Sequence, residues 1–70
     1  MPEWVIVGED KTGTPVVLLD WLFGGVWEPI ESVKLSGERP AVFRDRWRAK
    51  RQARRWFKDK GAVAIRRSRL

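Results

Sequence analysis

Seventy residues make one small domain with a modest core. The chain has no cysteine and no histidine, which excludes disulfides, thiolate metal sites and the commonest general base. Its net charge of +6 is unevenly spread: residues 1–38 carry two lysines against seven acids, a net −5, and residues 39–70 carry thirteen Lys or Arg against two acids, a net +11. Such a split points to an anionic partner for the C-terminal half, or to an acidic half packed on a basic one. No apolar run approaches the ~20 residues of a membrane span. The N-terminus MPEWVIVGED lacks a basic n-region, so the expected compartment is the cytoplasm, with no membrane partner.

Trp4 to Gly8 is a short apolar run rich in β-branched residues and reads as a strand. Glu9 to Thr14, with Gly13 near its end, suits a hairpin loop. Pro15 to Phe23 is the second strand. Its alternation puts Val17, Leu19, Trp21 and Phe23 on one face and Val16, Leu18, Asp20 and Leu22 on the other; a short helix over its second half stays open. Gly24 and Gly25 break the run. Val26 and Trp27 begin a third strand, which Pro29 restricts to an edge. Ile30 to Leu35 reads as weakly extended, and Ser36 to Glu38 as a turn. Pro40 biases Arg39 away from helix.

The strongest signal is FRDRWRAKRQARRWFKDKG, from Phe43 to Gly61. Asp45 is a good N-cap type, and Lys58, Lys60 and Gly61 suit a helix C-terminus. Ala49, Ala53, Trp56 and Phe57 fall on one face, to be laid on a sheet surface offered by Trp4, Ile6, Val17 and Trp21. Arg48, Arg51, Arg55 and Lys58 form a stripe on the opposite face, flanked by Arg44, Lys50 and Arg54. Almost no acid is interleaved, so the usual i,i+4 ion pairs of a solvated helix are missing. After Gly61, Ala62 to Ile65 is a closing strand. Residues 66–70 form a basic tail, with Arg66, Arg67 and Arg69, where fraying is expected.

Nothing here assembles an active site. Ser32, Ser36 and Ser68 have no histidine to activate them. Gly24 and Gly25 belong to no phosphate-cradling motif. No acidic loop suggests a metal, and no cofactor is implied. The expectation is a non-enzymatic protein. Arg44, Arg48, Arg51, Arg54, Arg55, Lys58, Arg66 and Arg67 are candidates for contacts to phosphates or to another anionic partner. Trp47 lies away from Ala49 and Ala53 and beside Arg51, Arg54 and Lys58. It either stacks on a base or anchors a protein interface, or else the Val26–Leu35 segment covers it. Trp27 carries the same two readings. Five tryptophans exceed what one small core easily buries, so at least one is expected on the surface.

The layout, with its hairpin, aromatic lead-in at Phe43, capped helix from Asp45, alanines at 49 and 53, Gly61 and a closing strand at Val63, resembles small accessory proteins of bacteriophages and prophages. The resemblance covers the last thirty residues well and the first forty loosely. It implies a protein that binds a host enzyme or antagonises host defence, acting in the bacterial host's cytoplasm. In the phage RNA polymerase inhibitor with this element order the helix is acidic; here it is basic, so that target and its functional residues do not transfer.

These readings converge on a single α+β domain spanning residues 1–70, a small antiparallel sheet of three or four strands with one basic amphipathic helix packed on it. The first functional expectation is DNA or RNA binding through the helix. The alternatives are binding to an acidic surface of a host protein, and a homodimeric or homo-oligomeric virion or assembly component.

Overall fold

Unbroken apolar runs build the two central strands and give each of them two buried faces. The computed structural model describes residues 2–20 and 24–70, with Trp56 described through its backbone alone. Strand β1 spans Trp4–Glu9, β2 Pro15–Asp20, β3 Val26–Pro29 and β4 Val63–Arg66. They form one antiparallel sheet in the order β3-β2-β1-β4. The second strand ends at Asp20; the expected continuation through Trp21, Leu22 and Phe23 lies outside the described residues.

The β1–β2 loop is closed by one carboxylate. Asp10 accepts from the Thr12 amide at 2.9 Å, the Thr12 hydroxyl at 2.6 Å and the Thr14 amide at 3.0 Å. The Thr12 hydroxyl bond and the Thr14 amide bond hold this carboxyl below its ordinary value of 3.8. The expected third strand is present at the edge, where Pro29 ends it.

Two helices cover the sheet, one on each face. The main helix, α2, spans Arg46–Trp56 and packs over β1 and β4. It sets Ala53 and Phe57 against Ile6 and Leu18. Ala49 and Ala53 are fully buried there, as small residues allow where a helix lies close on strands. The other helix, α1, spans Ile30–Ser36 and replaces the extended chain expected over Ile30 to Leu35. Ile30 and Val33, three apart, reach Val5 and Val17 on the opposite face of the sheet. Glu31 in the first turn and Lys34 in the last suit the helix dipole, and Gly37 ends the helix with its amide donating to the Val33 carbonyl at 3.0 Å. These local signals outweigh the weak strand pattern. Val17 therefore faces α1 and not α2, while Trp4 and Ile6 lie on the α2 side, as period two requires.

The chain changes face between the helices. The Ala41 amide donates to the Leu18 carbonyl at 3.0 Å, and Phe43 exchanges two bonds of 2.8 Å with Trp4. The connecting segment thus bonds to both β2 and β1 and leads into the N-cap of α2. At its other end α2 stops earlier than the sequence suggests. Phe57 leaves helical geometry (φ −129°, ψ 30°) and is buried edge-on to Trp27, with ring centroids 5.1 Å apart. Lys58–Lys60 form a separate 3-10 turn, and it is this turn that Gly61 ends, at φ 61°. The indole nitrogen of Trp27 is buried and finds no acceptor among the described residues. The C-terminal residues are held to the sheet at two points: the Arg67 amide donates to the Glu3 carbonyl at 2.9 Å, and Leu70 packs on the α1-side core.

Candidate functional site

The outward face of α2 owes its character to one cap and to the residues that follow it. Asp45 is extended (φ −114°, ψ 118°), and its carboxylate accepts from the Trp47 amide at 2.9 Å. That bond fixes the first turn and with it the direction in which Trp47 leaves the helix. No acid follows in the eleven residues of α2, which hold six Arg or Lys. With Ala49 and Ala53 turned to the sheet, most of this charge has to face solvent.

Trp47 is 69 % exposed. Among the described residues no segment covers it: α1, formed by the stretch expected in the covering role, lies on the opposite face of the sheet. Around it, Lys50, Arg51, Arg54 and Arg55 complete a shallow depression of about 640 Å³. The Lys50 ammonium stands 5.5 Å from the centre of the indole, in cation–π range. Lys50, Arg51 and Arg54 form no ion pair among the described residues. Trp27, which had the same two readings as Trp47, is partly buried against the core cluster of Ile6, Leu18, Ala53 and Phe57.

Of the residues expected at the site, Trp47, Arg51, Arg54 and Arg55 come together. Arg44, Arg48 and Lys58 are exposed but line no part of this depression. The stripe Arg48–Arg51–Arg55–Lys58 is broken because Phe57 departs from the helix, so Lys58 no longer follows the 3.6-residue period. Arg66 lies in β4 and sends its guanidinium over the ring of Trp4, 5.7 Å from its centre. Arg67 donates to the Glu3 carboxylate at 2.8 Å, and its charge is already matched.

Sequence reasoning ranked Lys50 as a flanking residue only and passed over Arg46. Arg46, Lys50 and Arg54 recur at steps of four, so their common side was legible on a helical projection. That this side turns toward β4 was not legible, because it depends on the strand order. Arg46 stands 5.5 Å from the centre of the Trp4 ring, and Trp4, Arg46, Ala64, Arg66 and Arg69 together line a second depression of about 450 Å³.

No family model, curated protein or solved structure matches this chain. Among the described residues no cluster of acidic side chains is placed to hold a metal ion, and no helix is long and apolar enough to cross a membrane.

Proposed function

We propose that this protein binds nucleic acid without acting as an enzyme, using the outward face of α2 to hold phosphates. The observation that carries the reading is Trp47, 69 % exposed among Lys50, Arg51, Arg54 and Arg55. A bulky indole set among cations offers an amphipathic anchor that a partner can cover. Arginines around it repel one another, and phosphates relieve that repulsion while releasing counterions. Arginine also matches phosphate oxygens with two parallel donors. The indole then offers a flat surface to a base, a contact that does not depend on sequence.

An acidic surface on a host protein, the partner type suggested by the resemblance to phage accessory proteins, would use the same charges. The two readings separate in one measurement. Fluorescence anisotropy of labelled random-sequence oligonucleotides, titrated with the protein across a salt series, is expected to show binding that weakens with salt. The slope of log K against log[salt] should be about −3 to −4 for four phosphate contacts. Charge reversal at Arg51 and Arg54 should abolish the binding while leaving the thermal midpoint nearly unchanged. Absence of binding at about 50 mM salt removes the nucleic-acid reading and leaves the acidic protein surface.

A further inference from the structure

The basic face does not end at Trp47. The depression beside Trp47 shares Lys50 and Arg54 with a neighbouring one, floored by Ala62, Val63 and Ala64 where α2 meets β4. That one shares Ala64 with the depression around Trp4. The three are therefore neighbours along one side of the molecule, linked by these shared lining residues. They form a track that leaves the ridge of α2, descends into the groove between α2 and the edge strand β4, and ends among Arg46, Arg66 and Arg69. No carboxylate lines any part of it. An indole stands at each end: Trp47, exposed, and Trp4, half-buried under the guanidiniums of Arg46 and Arg66.

From this geometry we infer that the ligand of the face is a single strand of nucleic acid, seated along the α2–β4 track with its phosphates on Arg54, Lys50, Arg46, Arg66 and Arg69 and a base stacked on Trp47. The inference rests on the nucleic-acid reading given above. Three features select a single strand over a duplex. The distal cations sit beside the helix at its junction with the sheet, whereas a helix read into a major groove about 12 Å wide must present its free ridge. The indole of Trp47 projects from that ridge, where a duplex has no open base to receive it and a single strand does. The track also bends from a helix face into a groove, a path that a flexible strand follows and a duplex, with a persistence length of about 150 base pairs, does not. The small side chains of Ala62 and Ala64 leave the groove open to sugar and base edges.

The test uses the full chain and three probes: a labelled single-stranded DNA, the RNA of the same sequence and the duplex. Both single strands are expected to bind more tightly than the duplex. Replacing Trp47 with Ala should weaken single-strand binding roughly 5- to 150-fold and leave the duplex affinity almost unchanged. The pair Arg66→Gln and Arg69→Gln removes two track cations that are absent from the ridge of α2. It should lower the single-strand salt slope by about 1.4, from the ~0.7 contributed by each phosphate contact. Arg66 also stacks on Trp4, so Arg69→Gln alone, at an exposed position, serves if the double variant loses its fold; its expected change in slope is about 0.7.

Equal or tighter binding of the duplex overturns the inference. So does an unchanged slope in both β4-side variants while charge reversal at Arg51 and Arg54 still abolishes binding. In that case nucleic-acid binding stands and only the track fails. If no probe binds the unaltered protein, the underlying reading fails with it.

Discussion

Trp47 and Asp10 show how single side chains divide their work between folding and binding. Trp47 has left the core: its indole is mostly in solvent and its neighbours are cations of its own helix. Substitution by Ala is therefore expected to change the free energy of unfolding by no more than about 0.5 kcal/mol, the range for exposed positions, in a urea melt. A large loss would show that the residue is structural. Asp10 works in the opposite sense, since it is a half-buried loop residue that organises a turn. Its carboxylate gathers three donors, and its pKa in the folded protein is depressed below 3.8. A depressed carboxylate stabilises the fold above its unfolded-state pKa, and that contribution is lost as pH falls through the folded-state value. Thermal melts of the native chain and Asp10→Asn should thus differ near neutral pH and converge as the acid limit is approached. A gap that stays constant down to pH about 2, well below the ordinary carboxylate range, would contradict this role.

At the level of elements, α2 is held by its cap and by close approach, because its surface sequence opposes it. Arg46 and Arg48 stand in the first turn, where the helix dipole disfavours cations, and no acid offsets them. The Asp45 cap then carries more of the burden than in an ordinary helix. Asp45→Ala should destabilise the protein by about 1 kcal/mol, equivalent to a fall of roughly 4–8 °C in the thermal midpoint of a domain this size. The turn after α2 has its own tight contact. Gly8 in β1 lies under Lys60, and a Cβ there would come within 2.9 Å of the Lys60 carbonyl oxygen. The obstacle is backbone, which cannot rotate away. Gly8→Ala is expected to destabilise by about 1–3 kcal/mol, the usual range for overpacking, and to displace the turn that follows Phe57. A neutral result by calorimetry would mean that this turn gives way easily.

For the molecule as a whole, the arrangement of layers turns a divided sequence into a divided surface. The basic residues of α2 and β4 meet along one side because β4 pairs with β1, the strand that α2 covers. The halves of the chain do touch through charge, at Glu3 and Arg67, but that pair is exposed and such pairs contribute about 0–1 kcal/mol. It does not neutralise Lys50, Arg51 or Arg54. Repulsion along the track should therefore limit the stability of the free protein. Raising salt from about 10 mM to 0.15 M shortens the Debye length from ~30 Å to ~8 Å and should raise the thermal midpoint. A midpoint that falls with salt would show that attractive pairs dominate.

Local pattern was enough for the α+β class, the first two strands, the edge position of the third, the Asp45 cap and the burial of Ala49, Ala53 and Phe57. These follow from unbroken apolar, β-branched-rich runs at Val5 to Val7 and Val16 to Leu18, helical spacing of Ala49 and Ala53, and the chemistry of one capping carboxylate. The sequence by itself also placed Trp47 beside Arg51 and Arg54, since residues three and four apart on a helix share a side. Tertiary structure decided the rest. Helix α1 was hidden because seven residues give too short a window for a helical period, and its apolar pair is chosen by the sheet it covers. The end of α2 was set by burial of Phe57 against Trp27, a contact thirty residues apart in sequence. Arg67 was drawn to Glu3 because β4 runs beside β1. The same pairing carried Arg66 and Arg69 to Arg46 and gave the basic helix its second wall. Long-range strand order is what a local pattern lacks, and here strand order decides which cations can share a ligand.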